Sequence, residues 1–285
     1  MFGLDRQVYY RKIKRRFLRQ SKSEKVIILV SGIRMTMPRI GTRKLYYLLN
    51  NELKTLKIGR DKFFNILKVN HLLIRPKRSY HITTNSHHRF RKHKNLIEGL
   101  AIYRPEQVWV SDITYIGKRS KPCYLSLVTD AYSKQIMGYN VATNLNTESS
   151  LKALQMALKN RKDKSLSLIH HSDRGIQYCS DDYQKVIGKT KNLYSSMTES
   201  YDPYQNAVAE RVNGILKQEF MIDRYNDQKL KIIKLIVKES VEVYNNKRPH
   251  WSNHMLTPIQ MHQQNKIGMK TYKTKNRSNS EATSV

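Results

Sequence analysis

The stretch from residue 106 to residue 198 constrains the fold most. Five segments in it are rich in β-branched, aromatic and aliphatic residues, and they predict strands over 106–117, 123–133, 135–143, 166–175 and 192–198. Amphipathic segments between and after them predict helices over 147–160, 180–190, 204–221 and 227–246. Strands mixed with crossover helices predict an α/β layered domain.

The amino-terminal third has a different pattern. Apolar spacing predicts three helices over 22–36, 41–53 and 60–73, with a turn through Gly59 before the third. In that third helix Phe63, Ile66 and Leu67 share one face, whereas the polar side chains of Lys62, Asn65 and Lys68 are left for DNA. This arrangement favours a helix-turn-helix reader of DNA, although three short basic helices are also common in other proteins.

Charge indicates the class of partner. The chain of 285 residues carries 53 Lys and Arg against 22 Asp and Glu, a net charge of +31. Residues 1–100 alone hold 25 basic and 5 acidic residues, a net charge of +20. Such an excess favours double-stranded DNA as the partner, with solubility as the plainer explanation.

Other compartments and chemistries are not favoured. No apolar run approaches the roughly 20 residues of a membrane-spanning helix, and Met1 begins no signal-peptide pattern. Two cysteines make neither a disulfide framework nor a zinc framework. The expectation is a cytoplasmic protein, associated with the nucleoid of a bacterium, that does not bind a membrane.

Domain boundaries follow from these changes of composition. We expect a helix-turn-helix region over 1–74, a basic linker over 75–100, an α/β core over 101–265 and a disordered basic tail over 266–285. The linker histidines (His81, His87, His88 and His93) fit no common zinc spacing, so a solvated or phosphate-facing linker is favoured over a metal site.

Three carboxylates stand at positions typical of a reaction centre. Asp112 interrupts an apolar strand, where an acid is costly without a partner. Asp173 ends the fourth predicted strand, at the sheet edge where sites in open α/β sheets collect, and Glu210 lies on the 204–221 helix. Acids brought together repel each other unless a cation lies between them, so the pattern suggests a divalent metal pair for phosphoryl transfer.

The helix around Glu210 has two faces. At about 100° per residue, Asn206, Glu210, Asn213 and Lys217 lie on one side, opposite an apolar stripe. An ordinary amphipathic surface helix shows the same separation. The alternative is that this polar face delivers a metal ligand and contacts DNA.

Four motifs carry a resemblance to a known family. "DITYI", "HHSDRGIQYCS", "YQNAVAERVNGILKQEF" and "YNNKRPHWSNHMLTPIQMH" occur in this order, and the chain resembles insertion-sequence transposases of the second-reading-frame (OrfB) type, whose core matches retroviral integrases. Sixty residues lie between Asp112 and Asp173 and thirty-six between Asp173 and Glu210, one more than is usual in the second interval. The segment "WSNHML" after "RPH" departs from the leucine-rich pattern of the family.

The resemblance implies a fold and an activity. It implies an RNase H-like mixed five-stranded sheet flanked by helices, with Asp112, Asp173 and Glu210 as ligands of Mg²⁺, for which Mn²⁺ can substitute. It implies cleavage of a phosphodiester at each element end, transfer of the 3′-OH to target DNA, oligomers on DNA, and a first-reading-frame (OrfA) product or frameshift fusion as partner. The alternatives are an inactive DNA-binding relic or repressor, and an RNase H-like nuclease.

Two further residues have open roles. His171 matches a histidine of the family, and it either contacts DNA or packs within its strand. Asp130 is interpreted as a turn residue rather than a metal ligand.

Overall fold

The computed structural model describes residues 6–74, 93–117, 122–199, 206–225 and 228–270. Its centre is one sheet whose five strands are Val108–Ile116 (β1), Cys123–Asp130 (β2), Ile136–Ala142 (β3), Leu168–Ser172 (β4) and Leu193–Met197 (β5). Their order is β3-β2-β1-β4-β5. The first three strands pair antiparallel, and β4 and β5 add in parallel. The predicted α/β class and RNase H-like mixed sheet are confirmed.

Helices cover both faces of this sheet. Among the described residues, the α-helices that follow β3 are Thr147–Asn160 (α5), Ile176–Cys179 (α6), Asp181–Lys189 (α7), Ala207–Gln218 (α8), Leu230–Asn246 (α9) and Pro258–His262 (α10). One core layer joins the sheet to α5 and α7, and another joins the opposite face to α8 and α9. Successive side chains of a strand point to opposite faces of the sheet. In β2, Leu125 and Leu127 therefore pack in the layer of α8 and α9, whereas Val128 packs in the layer of α5 and α7.

Helix α5 approaches β3 closely at Gly138. A Cβ atom at this glycine would lie 2.0 Å from the backbone carbonyl oxygen of Ala153. Only glycine therefore allows this contact between helix and strand.

Four helices precede the sheet in the ranges that the structure describes, 6–74 and 93–117. They span Arg6–Thr36 (α1), Thr42–Leu48 (α2), Asn50–Thr55 (α3) and Arg60–Val69 (α4). Helix α1 begins well before the predicted start at residue 22. The prediction missed residues 6–20, which are helical although all of them are exposed. The predicted 41–53 helix is divided at Leu49.

The packed core extends beyond its expected limits at both ends. Within the expected linker, Leu96 donates its N–H to Ser196 Oγ and Lys94 accepts from Met197, so this segment lies along β5. Within the expected tail, Lys270 donates its N–H to Ser252 and its ammonium lies 4.6 Å from the centre of the Trp251 ring. Residues 75–92, with three of the linker histidines, and 271–285 lie outside the described residues.

None of the helices in the described ranges is long and apolar enough to cross a membrane.

Candidate active site

The first two acids meet because of the parallel register of β1 and β4. Ser111 lies opposite Ser172 in the last pair of this register, and Asp112 and Asp173 are the next residue on each chain. Both carboxylates therefore lie at the edge where β4 ends and the two chains separate. Ligand sites of open α/β sheets collect at this kind of edge.

The carboxylate of Asp112 is held from two directions. Its Oδ2 accepts a hydrogen bond from Asn213 Nδ2 at 2.8 Å, and its Oδ1 accepts from the Ile113 N–H at 2.9 Å. Burial raises the pKa of Asp112 to about 7, with further contributions from the negative charges of Asp173 and Glu210, while the bond from Asn213 opposes the rise. The acids therefore repel each other through a poorly solvated region.

Asp173 begins a tight turn. Its Oδ1 accepts the Gly175 N–H at 3.0 Å, and a Cβ atom at residue 175 would lie 3.0 Å from the same oxygen. A side chain at this position would press on the carboxylate, so the glycine after "SDR" keeps the loop close to the acid.

Glu210 lies on the exposed side of α8. Partial burial and the charge of Asp173 raise its pKa. In the parts of the chain that the structure describes, no group of three His, Cys, Asp or Glu side chains lies close enough to hold a metal ion. The three acids thus influence one another electrostatically but do not form a closed ligand set in this conformation.

Asn206, just before α8, and Asn213 within it face β1 instead of solvent. Asn206 is 7% exposed and donates to the Ser111 carbonyl oxygen at 3.1 Å, whereas Asn213 is 4% exposed and donates to Asp112. Their burial does not support the predicted contact with DNA. Their amides instead fix α8 against the strand that carries Asp112.

Lys217 lies at the far end of the same face. Its Nζ lies 3.3 Å from Thr114 Oγ1 and 4.5 Å from the centre of the Tyr115 ring. The side chain is half-buried, so the ammonium remains at the rim of the site.

His171 and Asp130 have structural surroundings. His171 is fully buried in β4 and its Nδ1 lies 2.9 Å from Ser196 Oγ, which favours the packing interpretation over a DNA contact. Asp130 accepts hydrogen bonds from the backbone N–H groups of Ser133 and Glu106. It closes the β2–β3 turn, as interpreted from the sequence, and lies close to His262 of α10.

A buried polar layer beneath the acids was not found from the sequence. Ser111 Oγ and Tyr183 Oη lie 2.8 and 3.0 Å from His170 Nε2, and burial with a smaller effect of His171 lowers the pKa of His170 to about 3. Tyr178 of α6 packs on this group, and burial, Tyr183 and the charges of both aspartates raise its pKa. The only signal in the sequence was the run of polar residues around Asp173.

The predicted reader helix α4 presents its polar side chains to solvent. Lys62, Asn65 and Lys68 are exposed, whereas Phe63 and Leu67 are fully buried. The three polar residues are therefore accessible to a ligand.

Glu219, just after α8, connects the amino-terminal helices to the core. Its carboxylate accepts two hydrogen bonds from Arg248, at 2.7 and 2.8 Å, and one from Lys44 of α2 at 2.8 Å. Its backbone carbonyl accepts the Arg39 N–H at 2.9 Å. Helix α8 thus carries Glu210 near its start and the junction with α2 at its end.

The donor chemistry fits a hard divalent cation. Asp112, Asp173 and Glu210 supply carboxylate oxygens, the ligands that Mg²⁺ and Mn²⁺ prefer. Burial raises the pKa values of Asp112 and Glu210, and repulsion from the neighbouring carboxylates adds to the rise. A cation between these acids would remove that repulsion.

Comparisons with known proteins give consistent results. Two family models described as integrase core domain match residues 102–203 and 192–258. The insertion element IS600 uncharacterized 31 kDa protein of Shigella sonnei is 34% identical over 256 residues, covering 88% of this chain and 92% of that protein. The transposase InsF for insertion sequence IS3fB of Escherichia coli is 35% identical over 162 residues, covering 56% of this chain and 55% of that protein.

Among solved structures, the HTLV-2 integrase catalytic core domain in complex with magnesium matches with a TM-score of 0.45 and 16% identity, covering 56% of this chain and 97% of that chain.

Proposed function

Because the chain belongs to the insertion-sequence transposases that carry an integrase core domain, we propose that Asp112, Asp173 and Glu210 form its catalytic centre. The protein is a DNA transposase that recombines DNA by an integrase-like mechanism. In the proposed reaction it cleaves a phosphodiester at each end of the element and joins the freed 3′-OH to target DNA.

One observation supports this assignment of residues above the others. The parallel register aligns Ser111 with Ser172, so that Asp112 and Asp173 follow side by side. Helix α8 then presents Glu210 to the same region, where partial burial and the charge of Asp173 raise its pKa. Neighbouring carboxylates repel each other unless a cation lies between them. A protein that only binds DNA does not need three acids at this position.

The residues of the chain have separate tasks in this proposal. Asp112, Asp173 and Glu210 would hold Mg²⁺ or Mn²⁺, which when bound supplies stabilisation of the negative charge that develops on phosphoryl oxygens. Asn213 engages one oxygen of Asp112 and thereby orients the carboxylate. Lys217 provides positive charge for a DNA phosphate at the rim.

The proposed partners follow from the exposed basic surface and the family. Lys62, Asn65 and Lys68 on α4 are the candidates for contacting the element's terminal repeats. Oligomers on DNA, and a first-reading-frame product or frameshift fusion that adds a further segment, complete the proposal.

Strand cleavage and joining on a labelled element-end duplex test the proposal. The isosteric variants Asp112→Asn, Asp173→Asn and Glu210→Gln each remove one charge at little change of shape. We expect each to lower the rate with Mg²⁺ by at least about a thousandfold, because charge stabilisation supplies most of such catalysis.

Exposed acids outside the site provide matched controls. Asp181→Asn and Glu239→Gln alter carboxylates that are exposed on α7 and α9, and should retain full activity. Full activity in the Asp112 or Glu210 variant would refute the catalytic assignment. Hydrolysis without joining would instead indicate a nuclease, and end-specific binding without cleavage an inactive DNA-binding protein.

A further inference from the structure

The amino-terminal half of α1 is an exposed basic arm, which we define as residues 6–20. Every residue of the arm is exposed, and it holds seven Lys or Arg and no Asp or Glu. At 1.5 Å per residue it extends about 22 Å beyond the part of α1 that packs on the body. A helix that buries nothing gains no stability from packing, so the arm is available for a ligand.

The cations of the arm lie mainly on one face. At about 100° per residue, five of them fall within roughly 80° of the direction defined by the buried Val26 and Val30. These five residues, the basic face, are Arg11, Lys12, Arg15, Arg16 and Arg19. Among the exposed apolar residues, Tyr10, Ile13 and Phe17 lie on the opposite side, and Val8 lies on the same side but before Arg11, so that they do not interrupt the basic face.

Contacts of the carboxyl-terminal half of α1 show where this face is directed. Lys22 Nζ donates to the Leu56 carbonyl oxygen at 2.9 Å, in the turn before α4. Arg34 donates to the Leu72 carbonyl oxygen at 2.8 Å, just after α4 ends. Helix α4 therefore runs beside residues 22–34, and the arm continues past its amino terminus on the α4 side.

The position of the arm beside the amino terminus of α4 favours duplex DNA as its ligand. In helix-turn-helix readers the first residues of the second helix contact base edges, so a duplex read by Lys62 and Asn65 would pass in front of that terminus. Duplex DNA carries about one charge per 1.7 Å of its axis. Lys12 to Arg19 cover about 10 Å of helix, enough to face several phosphates. A second copy of the arm has no complementary charge.

We propose that the basic face of the arm binds the phosphate backbone of the duplex next to the site read by α4. The inference rests on the proposed function, because it takes duplex DNA as the ligand. It adds a second contact, which is independent of base sequence and lies outside the integrase core.

The test compares two triple variants with the same loss of charge and the same helical spacing. The arm variant is Lys12→Gln/Arg15→Gln/Arg19→Gln, and the control is Lys231→Gln/Lys234→Gln/Lys238→Gln on the exposed face of α9. The full-length proteins are titrated with a labelled duplex of arbitrary sequence and with an element-end duplex, between about 50 and 200 mM salt.

We expect the arm variant to bind both duplexes at least about tenfold more weakly at 0.1 M salt, with a salt slope smaller by about 3. The control variant should keep the slope of the unaltered protein. The charge-preserving variant Arg15→Lys/Arg19→Lys should also keep it, which separates charge from the integrity of the helix.

Three results would overturn the inference. The first is an unchanged salt dependence of binding in the arm variant. The second is an equal fall of affinity in the arm variant and in the α9 control variant. A change of oligomeric state without a change of slope would assign the arm to a protein contact. If the unaltered protein binds no duplex, the proposed function fails as well, whereas binding with an unchanged slope in the arm variant removes only the arm.

Discussion

A buried ion cluster attaches α10 to the sheet and makes stability depend on pH. The Nε2 atom of His262 lies 3.5 Å from Glu106 Oε1 and its Nδ1 lies 3.7 Å from Asp130 Oδ1, while Ser133 Oγ is 2.9 Å from Nδ1. Burial alone would lower the pKa of His262, but the two carboxylates outweigh it and raise the pKa to about 9. The pKa values of Glu106 and Asp130 are lowered despite burial, mainly through His262 and backbone N–H donors.

The direction of the pH effect follows from the raised pKa. An unfolded histidine has a pKa near 6.5, so the folded state binds the proton more tightly. The stabilisation is complete below about pH 6.5 and is lost as the pH rises through about 9. A difference of about 2.5 pKa units corresponds to about 3 kcal/mol in the free energy of unfolding.

Urea unfolding at pH 6 and pH 9 measures this contribution. We expect the unaltered protein to lose about 3 kcal/mol more than His262→Gln between these values, because the variant cannot take up the proton. Titrating groups that do not contact His262 cancel in the difference between the two proteins. His254→Asn alters an exposed histidine and should follow the unaltered protein. Parallel curves for His262→Gln and the unaltered protein would refute the ion cluster.

Two matched pairs of variants test the packing around the site. Gly138→Ala should lower the free energy of unfolding by about 3 kcal/mol, since its Cβ would meet the α5 backbone at 2.0 Å, whereas Gly188→Ala has open space within 4 Å and should stabilise α7 by up to about 1 kcal/mol. Tyr183→Phe should cost about 1 kcal/mol by removing a hydrogen bond to the buried histidine. Tyr178→Phe should be neutral or stabilising, because this buried hydroxyl has no hydrogen-bond partner in the described part of the chain. Urea unfolding measures all four, and equal costs within either pair would contradict the packing described.

Local patterns were sufficient for the sheet and for the position of the acids. Alternation and apolar runs predicted all five strands within a few residues, because each strand has one or two buried faces that the sequence must fill. Asp112 and Asp173 were recognisable as candidates because a carboxylate at these strand positions destabilises the fold unless it has a partner. Helix α5 was predicted over the same residues that it spans, Thr147–Asn160.

The surroundings of the polar side chains could not be predicted in this way. Rotation placed Asn206 and Asn213 on one face of α8, but only the tertiary structure shows that this face packs on β1. The sequence analysis did not predict the arm of α1, because its apolar side chains are exposed and pack on nothing in the described part of the chain. The ion clusters join residues far apart in the chain, 175 residues in the case of Lys44 and Glu219, and no local pattern records such a pair.

The junction at Glu219 limits how the two halves of the protein can evolve. Its carboxylate depends on one cation from the amino-terminal helices and one from the "RPH" segment of the core, and burial makes the loss of either costly. An amino-terminal region transplanted from another element would therefore have to bring a cation at the position of Lys44 and a backbone donor at that of Arg39. Under the proposed function, recognition of other terminal repeats can arise by changing the exposed side chains of α4, whereas exchange of the whole region is restricted to partners that keep this junction.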